Sequence, residues 1–216
     1  MRAVALAAAL VAIPLVAAAP PTNAKLDGND LLARAVKLNR WPTTYSVPLH
    51  FTVHLHRPLP IRFSAAGTMY YKAPQQQALV MTSLPRSASR LFSKNYAMLD
   101  TIPQAWPGKY RVTSVTQVDH NGAPAYRLDS LPNYQGDITH VTFDLLEAGL
   151  VPVGAAWYYR DGSTVRLTVK NQRIGAYVLP QHEELQVAMP KYVLDADCDT
   201  GHYDLDAPIP DDAFTE

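Results

Sequence analysis

The chain has 216 residues, no net formal charge and one cysteine. Neutrality leaves no electrostatic basis for holding nucleic acid. A single cysteine, Cys198, excludes an intrachain disulfide, so the fold stands on packing alone.

Residues 1–24 read as a secretory signal peptide. Arg2 is the only charge, residues 3–19 are apolar apart from Pro14, and small residues follow. Cleavage is expected after Ala19 or Ala24. About 17 apolar residues is the lower limit for a membrane span, and the alanine-rich composition favours a cleaved leader over an anchor. No cysteine follows that could be lipidated, so a periplasmic or secreted location is expected. Residues 25–216 are enough for one domain with a full core.

Residues 26–40 carry a helical pattern. Leu31, Leu32, Ala35 and Leu38 form an apolar stripe, and Asp27 or Asn29 can cap the start. Trp41-Pro42 ends the helix. Residues 45–57 then alternate without a break. Val47, Leu49, Phe51, Val53 and Leu55 interleave with Ser46, Pro48, His50, Thr52, His54 and His56, which is the two-residue period of a strand with one apolar face. After the turn Arg57-Pro58-Leu59-Pro60, residues 61–72 form a second strand, in which Gly67 predicts a bend or bulge. Residues 75–83 read as a third.

Residues 84–107 lack this alternation. They fit an insert over the sheet, with a short helix around 91–100. Residues 109–119 and 123–131 make a hairpin through Asn121-Gly122. A strand at 138–146 follows, then a second hairpin, 153–159 with 163–173, through Asp161-Gly162. Strands at 177–179, 183–189 and 192–203 bring the total to about ten or eleven. Residues 206–214 are a turn-rich tail. No helix regularly follows a strand, so the sheet is expected to be antiparallel.

Signals for chemistry are few. His50, His54 and His56 share one strand face at metal-ligand spacing, but no carboxylate is interleaved with them. Cys198 and His202 form a C-x3-H pair in an acidic stretch, and a cysteine–histidine dyad is a further reading of the same cysteine. The sequence has no G-x-S-x-G elbow, phosphate loop, G-x-G-x-x-G or H-E-x-x-H motif. Glu183 and Glu184 fall on opposite faces of a strand, which argues against a paired-carboxylate site. Nothing calls for an enzyme or a cofactor. The stronger signal is the apolar face: Leu49, Phe51, Val53, Leu55, Phe63, Met69, Tyr71, Met81, Phe143, Leu145, Trp157 and Tyr159. It fits a ligand pocket and an ordinary covered core equally.

The order of several short motifs is specific. Gly67-Thr-Met-Tyr-Tyr-Lys-Ala-Pro74 gives a glycine, an apolar strand and Lys-x-Pro. Asn121-Gly122 leads to Ala125-Tyr-Arg-Leu-Asp-Ser-Leu-Pro132. Tyr158-Tyr-Arg-Asp-Gly-Ser-Thr-Val-Arg-Leu167 and Gly175-Ala-Tyr-Val-Leu-Pro180 follow, and Tyr203-Asp-Leu-Asp-Ala-Pro-Ile-Pro-Asp211 with Phe214 closes the chain. This succession resembles the LolA/LolB-like superfamily of envelope lipoprotein carriers and sorting proteins. The resemblance implies a curved, incomplete antiparallel barrel with helices across its concave face. It implies a non-enzymatic carrier or sensor whose cavity takes lipid or lipoprotein acyl chains, working as a monomer, with envelope membrane proteins that load or unload it. Two departures stand out. The lid-latching arginine before the strand-ending proline is Ala73 here, and Asp206 stands where asparagine is expected. The competing readings are an envelope protein–protein interaction module and a metal binder built on His50, His54 and His56.

Overall fold

The computed structural model describes residues 26–84, 101–205, 208–210 and 213–214. The expected leader, the expected helix around 91–100 and parts of the tail lie outside them. Within them, helix α1 (Gly28–Leu38) precedes three strands, β1 (Thr44–Arg57), β2 (Ile61–Lys72) and β3 (Gln76–Met81). A 3-10 turn (Pro103–Ala105) runs into one helical turn, α2 (Trp106–Lys109). Seven strands follow: β4 (Tyr110–His120), β5 (Ala123–Pro132), β6 (Ile138–Leu146), β7 (Pro152–Tyr159), β8 (Thr164–Ile174), β9 (Tyr177–Ala188) and β10 (Val193–Thr200).

All ten strands belong to one open sheet in the order β3-β2-β1-β10-β9-β8-β7-β6-β5-β4, with every neighbour antiparallel. The last strand returns to pair with the first, so two meanders join through β1 and β10. This is the antiparallel sheet that the sequence pattern predicts and the incomplete barrel that the resemblance implies. The expected strands at 177–179 and 183–189 are one strand. A register shift opposite Lys170 and Asn171 takes up the interruption at Pro180-Gln181.

The alternation of β1 is realised residue by residue. Tyr45, Val47, Leu49, Phe51 and Val53 are buried, while the residues between them face outward. Two buried clusters share the concave face. One joins α1 and α2 to β4–β9 around Leu128, Val141, Phe143, Leu145 and Trp157. The other joins β1, β2, β3, β9 and β10 around Phe51, Met69, Tyr71 and Cys198. Leu185 and Leu194 pack against both, which makes the apolar face continuous.

Gly67 is required for a reason other than a bulge. The β1–β2 ladder runs through it without a shift, and a Cβ there would lie 2.7 Å from the Val80 carbonyl oxygen. It allows β3 to approach closely. Asn121-Gly122 makes the predicted turn, with both residues at positive φ (53° and 84°).

Helix α1 starts where the sequence predicts. The Asp27 carboxylate accepts from the backbone N–H of Asn29 at 2.9 Å and of Asp30 at 3.4 Å. Leu31, Leu32 and Ala35 are buried against the sheet, but Leu38 is exposed. The helix has turned its stripe off the sheet by its last residue. Asp27→Ala is expected to cost about 0.5–2 kcal/mol, read as a lowered midpoint in urea denaturation with an unchanged slope.

Candidate functional site: the concave face

Nine of the expected pocket residues lie inside the two clusters. Leu49, Phe51, Val53, Met69, Tyr71 and Met81 are buried in one, and Phe143, Leu145 and Trp157 in the other. Tyr159 is partly buried against the second cluster, and Leu55 is half-buried at the end of β1. Phe63 is 37% exposed. It pairs with Val53, and Ile61 beside it is also exposed and pairs with Leu55. The apolar face therefore continues past its cover at the β1–β2 end.

Aromatic contacts fix both clusters. Phe143 stacks on Trp106 at 4.2 Å and meets Tyr110 edge-on at 5.3 Å. In the other cluster Tyr45 stacks on Tyr71 at 5.0 Å, Trp41 meets Tyr71 edge-on at 5.3 Å, and Tyr203 meets Tyr45 at 5.3 Å. Trp41 and Tyr203 are absent from the predicted set. Both sit outside regular strands, where the alternation that finds the other residues has no purchase. The Tyr71 hydroxyl donates to the Pro74 carbonyl at 3.1 Å, and the Ala73 N–H to the Thr43 carbonyl at 2.8 Å. The corner at Ala73 is closed by backbone bonds and aromatic packing, with no arginine at that position.

A small cavity of about 30 Å³ lies under α1. Ala35, Trp41, Trp106, Leu167 and Glu183 are among its walls. Small-molecule sites typically enclose about 300–1,000 Å³, so the concave face is closed around this cavity. Two buried polar atoms on this side, Trp157 Nε1 and Gln104 Oε1, have no hydrogen-bond partner among the described residues. Glu183 is buried on β9 while Glu184 is exposed, as the strand parity predicts.

Buried titratable groups make this face alkali-sensitive. Desolvation pushes the Tyr45 and Tyr203 phenols up, and the Glu183 carboxylate adds to both shifts. Desolvation raises Tyr71 as well. The Cys198 thiol is raised by burial, then by Glu183 and Asp199, so it is a poor nucleophile. An unfolded tyrosine loses its proton near pH 10. The native state holds these protons longer, so stability is complete below about pH 10 and falls as pH rises beyond it. Phenolate absorbance from the buried tyrosines is expected to appear together with loss of the β circular-dichroism signal. A smooth titration of all 12 tyrosines with the fold intact would contradict this.

The histidine strand is placed on the outer face, away from the clusters. There β10 supplies the carboxylates that β1 lacks. His54 stands opposite Asp195 and His50 opposite Asp199. His56 Nε2 lies 2.8 Å from Asp195 Oδ2, and His182 Nδ1 lies 2.8 Å from Asp199 Oδ1. No group of three or more His, Cys, Asp or Glu side chains among the described residues has metal-binding geometry. Cys198 is buried in the core, whereas His202 lies exposed beyond the end of β10, so the C-x3-H pair does not converge.

The open ten-stranded sheet has counterparts among solved structures. A domain from Vibrio parahaemolyticus assigned to outer-membrane lipoprotein sorting matches with a TM-score of 0.68. The match covers 87% of this chain and 95% of that chain at 9% identity. The chain has the LolA-like fold. A DUF1329 family protein from Desulfovibrio piger matches with a TM-score of 0.63 at 13% identity, covering 87% of this chain and 95% of that one. A LolA superfamily protein from Nitrosomonas europaea gives 0.56 at 13% identity, covering 88% and 98%. At these identities the likeness is one of fold. No family model and no curated protein matches the sequence. Among the described residues no helix is long and apolar enough to cross a membrane.

Proposed function

We propose that this protein is a non-enzymatic carrier or sensor of the cell envelope that takes lipid or lipoprotein acyl chains on the concave face of its half-barrel. The observation that carries this reading is the continuous apolar face of β1–β10, which runs from the two buried clusters to exposed Ile61 and Phe63. Each buried methylene of an acyl chain contributes roughly 0.8 kcal/mol before ordering costs. The unpartnered Trp157 Nε1 supports a ligand that carries an acceptor such as an ester carbonyl. The LolA-like fold supports the same reading, as does the apolar, alanine-rich sequence of residues 3–19, which reads as an export leader. In this state the cover is shut, so loading requires α1 to lift. The protein works as a monomer, and envelope membrane proteins that load or unload it are its expected partners.

Native mass spectrometry of the purified protein, with organic extraction of the same sample, tests this. A near-stoichiometric lipid or acyl species is the expected result. The closed packing of the concave face favours a second reading, an interaction module whose sheet serves as a docking platform. A clean protein mass that stays unchanged after incubation with phospholipids and lipopeptides would select that reading and reject the carrier.

A further inference from the structure

The sheet parts between β7 and β8. Their ladder holds only from Gly154 opposite Thr168 to Tyr158 opposite Thr164. Beyond it β8 runs on to Ile174 paired with β9 alone, while Pro152 and Val153 of β7 turn toward β6. Register shifts flank the opening on both sides, at Asp144/Leu145 and at Lys170/Asn171. One side-chain bond spans the gap: Asn171 Nδ2 donates to the Pro152 carbonyl at 2.7 Å. A cleft of about 590 Å³ occupies the opening, well within the size of a small-molecule site.

The cleft has two chemistries. Val153 and Val178 are buried and supply apolar wall. Lys170 and Arg173 supply positive charge, and neither has an ion pair or side-chain hydrogen bond among the described residues. The one carboxylate among the lining residues, Glu184, is engaged by His182 at 3.7 Å, and His182 itself is held by Asp199. The two cations therefore outnumber the single carboxylate of the lining. Val169, Asn171 and Val178 line both this cleft and the small cavity under α1. They stand between the outer opening and the concave face.

We propose that this cleft seats the anionic phosphate headgroup of an amphiphile, with its apolar chain leading past Val153 and Val178 toward the concave face. The inference rests on the lipid-holding reading above and gives it a polarity: chain inward, headgroup at the β7–β8 gap. Lys170 and Arg173 are the residues that select charge: an ammonium and a guanidinium both form strong, charge-assisted bonds to phosphate oxygens and repel a headgroup that brings its own cation.

The test is isothermal titration calorimetry with dihexanoyl phosphatidylglycerol, dihexanoyl phosphatidylcholine and sodium phosphate, each below any micelle concentration. The wild type is expected to prefer phosphatidylglycerol over phosphatidylcholine by about tenfold. K170Q/R173Q is expected to erase that preference by weakening phosphatidylglycerol about tenfold more than phosphatidylcholine, with the melting temperature unchanged. Both side chains are exposed, so the variant folds. A preference that survives in K170Q/R173Q overturns the cleft assignment and leaves the carrier reading intact. Free phosphate binding as tightly as the lipid, and lost in K170Q/R173Q, overturns the amphiphile in favour of a free-anion site. Failure of the wild type to bind either lipid overturns the carrier reading and this inference with it.

Discussion

Phe51→Asp is expected to abolish cooperative folding, whereas Phe63→Asp is expected to fold normally and to bind acyl chains more weakly. Both residues belong to the same alternating face, and the sequence pattern alone gives them the same role. The structure separates them. Phe51 is 2% exposed inside the β1–β3 cluster, and Phe63 is 37% exposed beyond it. Removing a buried phenylalanine costs about 3–5 kcal/mol, and an unpaired buried carboxylate adds several more. Against a total stability of about 5–15 kcal/mol that loss is decisive. Phe63→Asp removes apolar surface that already meets solvent, so its effect on stability stays near the small value of a surface change. Its effect on binding follows from placing a charge where the apolar face is open. Denaturant unfolding and lipid titration of the two variants give the answer. An intact unfolding transition in Phe51→Asp would show that the cluster is a filled pocket with slack. Unchanged lipid binding in Phe63→Asp would remove the β1–β2 end from the ligand path.

The contrast marks what can be read from the sequence and what cannot. Period-two alternation places side chains on a face, so β1, β2 and β6 and their buried residues are legible directly. Turn chemistry is equally legible, because Asn121-Gly122 and Asp161-Gly162 admit few other conformations. Alternation says nothing of where along a strand the cover ends, so Leu55 and Phe63 read the same as Val53. It says nothing of neighbours in space either. The carboxylates facing His50 and His54 come from β10, about 140 residues further along the chain, and appear only once β10 folds back onto β1. The split of β9 into two expected strands has a local cause, since Pro180 cannot donate to a ladder and reads as a break. The gap between β7 and β8 had no signal at all. A ladder that stops early leaves both strands with ordinary strand sequence.

The second large effect is expected at Asn39, a residue that no sequence pattern singles out. It caps the C-terminal end of α1 and is 4% exposed. Its Nδ2 donates to the carbonyls of Ala35 at 2.9 Å, Gly149 at 3.1 Å and Leu150 at 3.0 Å. Those bonds fasten the end of the helix to the turn between β6 and β7. At the other end Asn29 Oδ1 accepts from the Val112 N–H at 2.9 Å, and Gly28 packs directly on Val112. Between these two fastenings only Leu31, Leu32 and Ala35 hold α1 by apolar burial. Asn39→Asp keeps the shape of the side chain and replaces its donors with a carboxylate facing three carbonyl oxygens. Each orphaned buried group costs about 1–3 kcal/mol, and the charge adds repulsion. The sheet keeps its own ladders, so the loss falls on the docking of α1. Hydrogen exchange in residues 28–38 is expected to quicken while exchange in β5–β9 stays slow. The defect is expected to shrink as the pH falls, because a protonated carboxyl regains one donor. If α1 is the cover that lifts for an acyl chain, Asn39→Asp also loads lipid faster than the wild type. Accelerated exchange without faster loading would assign α1 to the core and not to the cover.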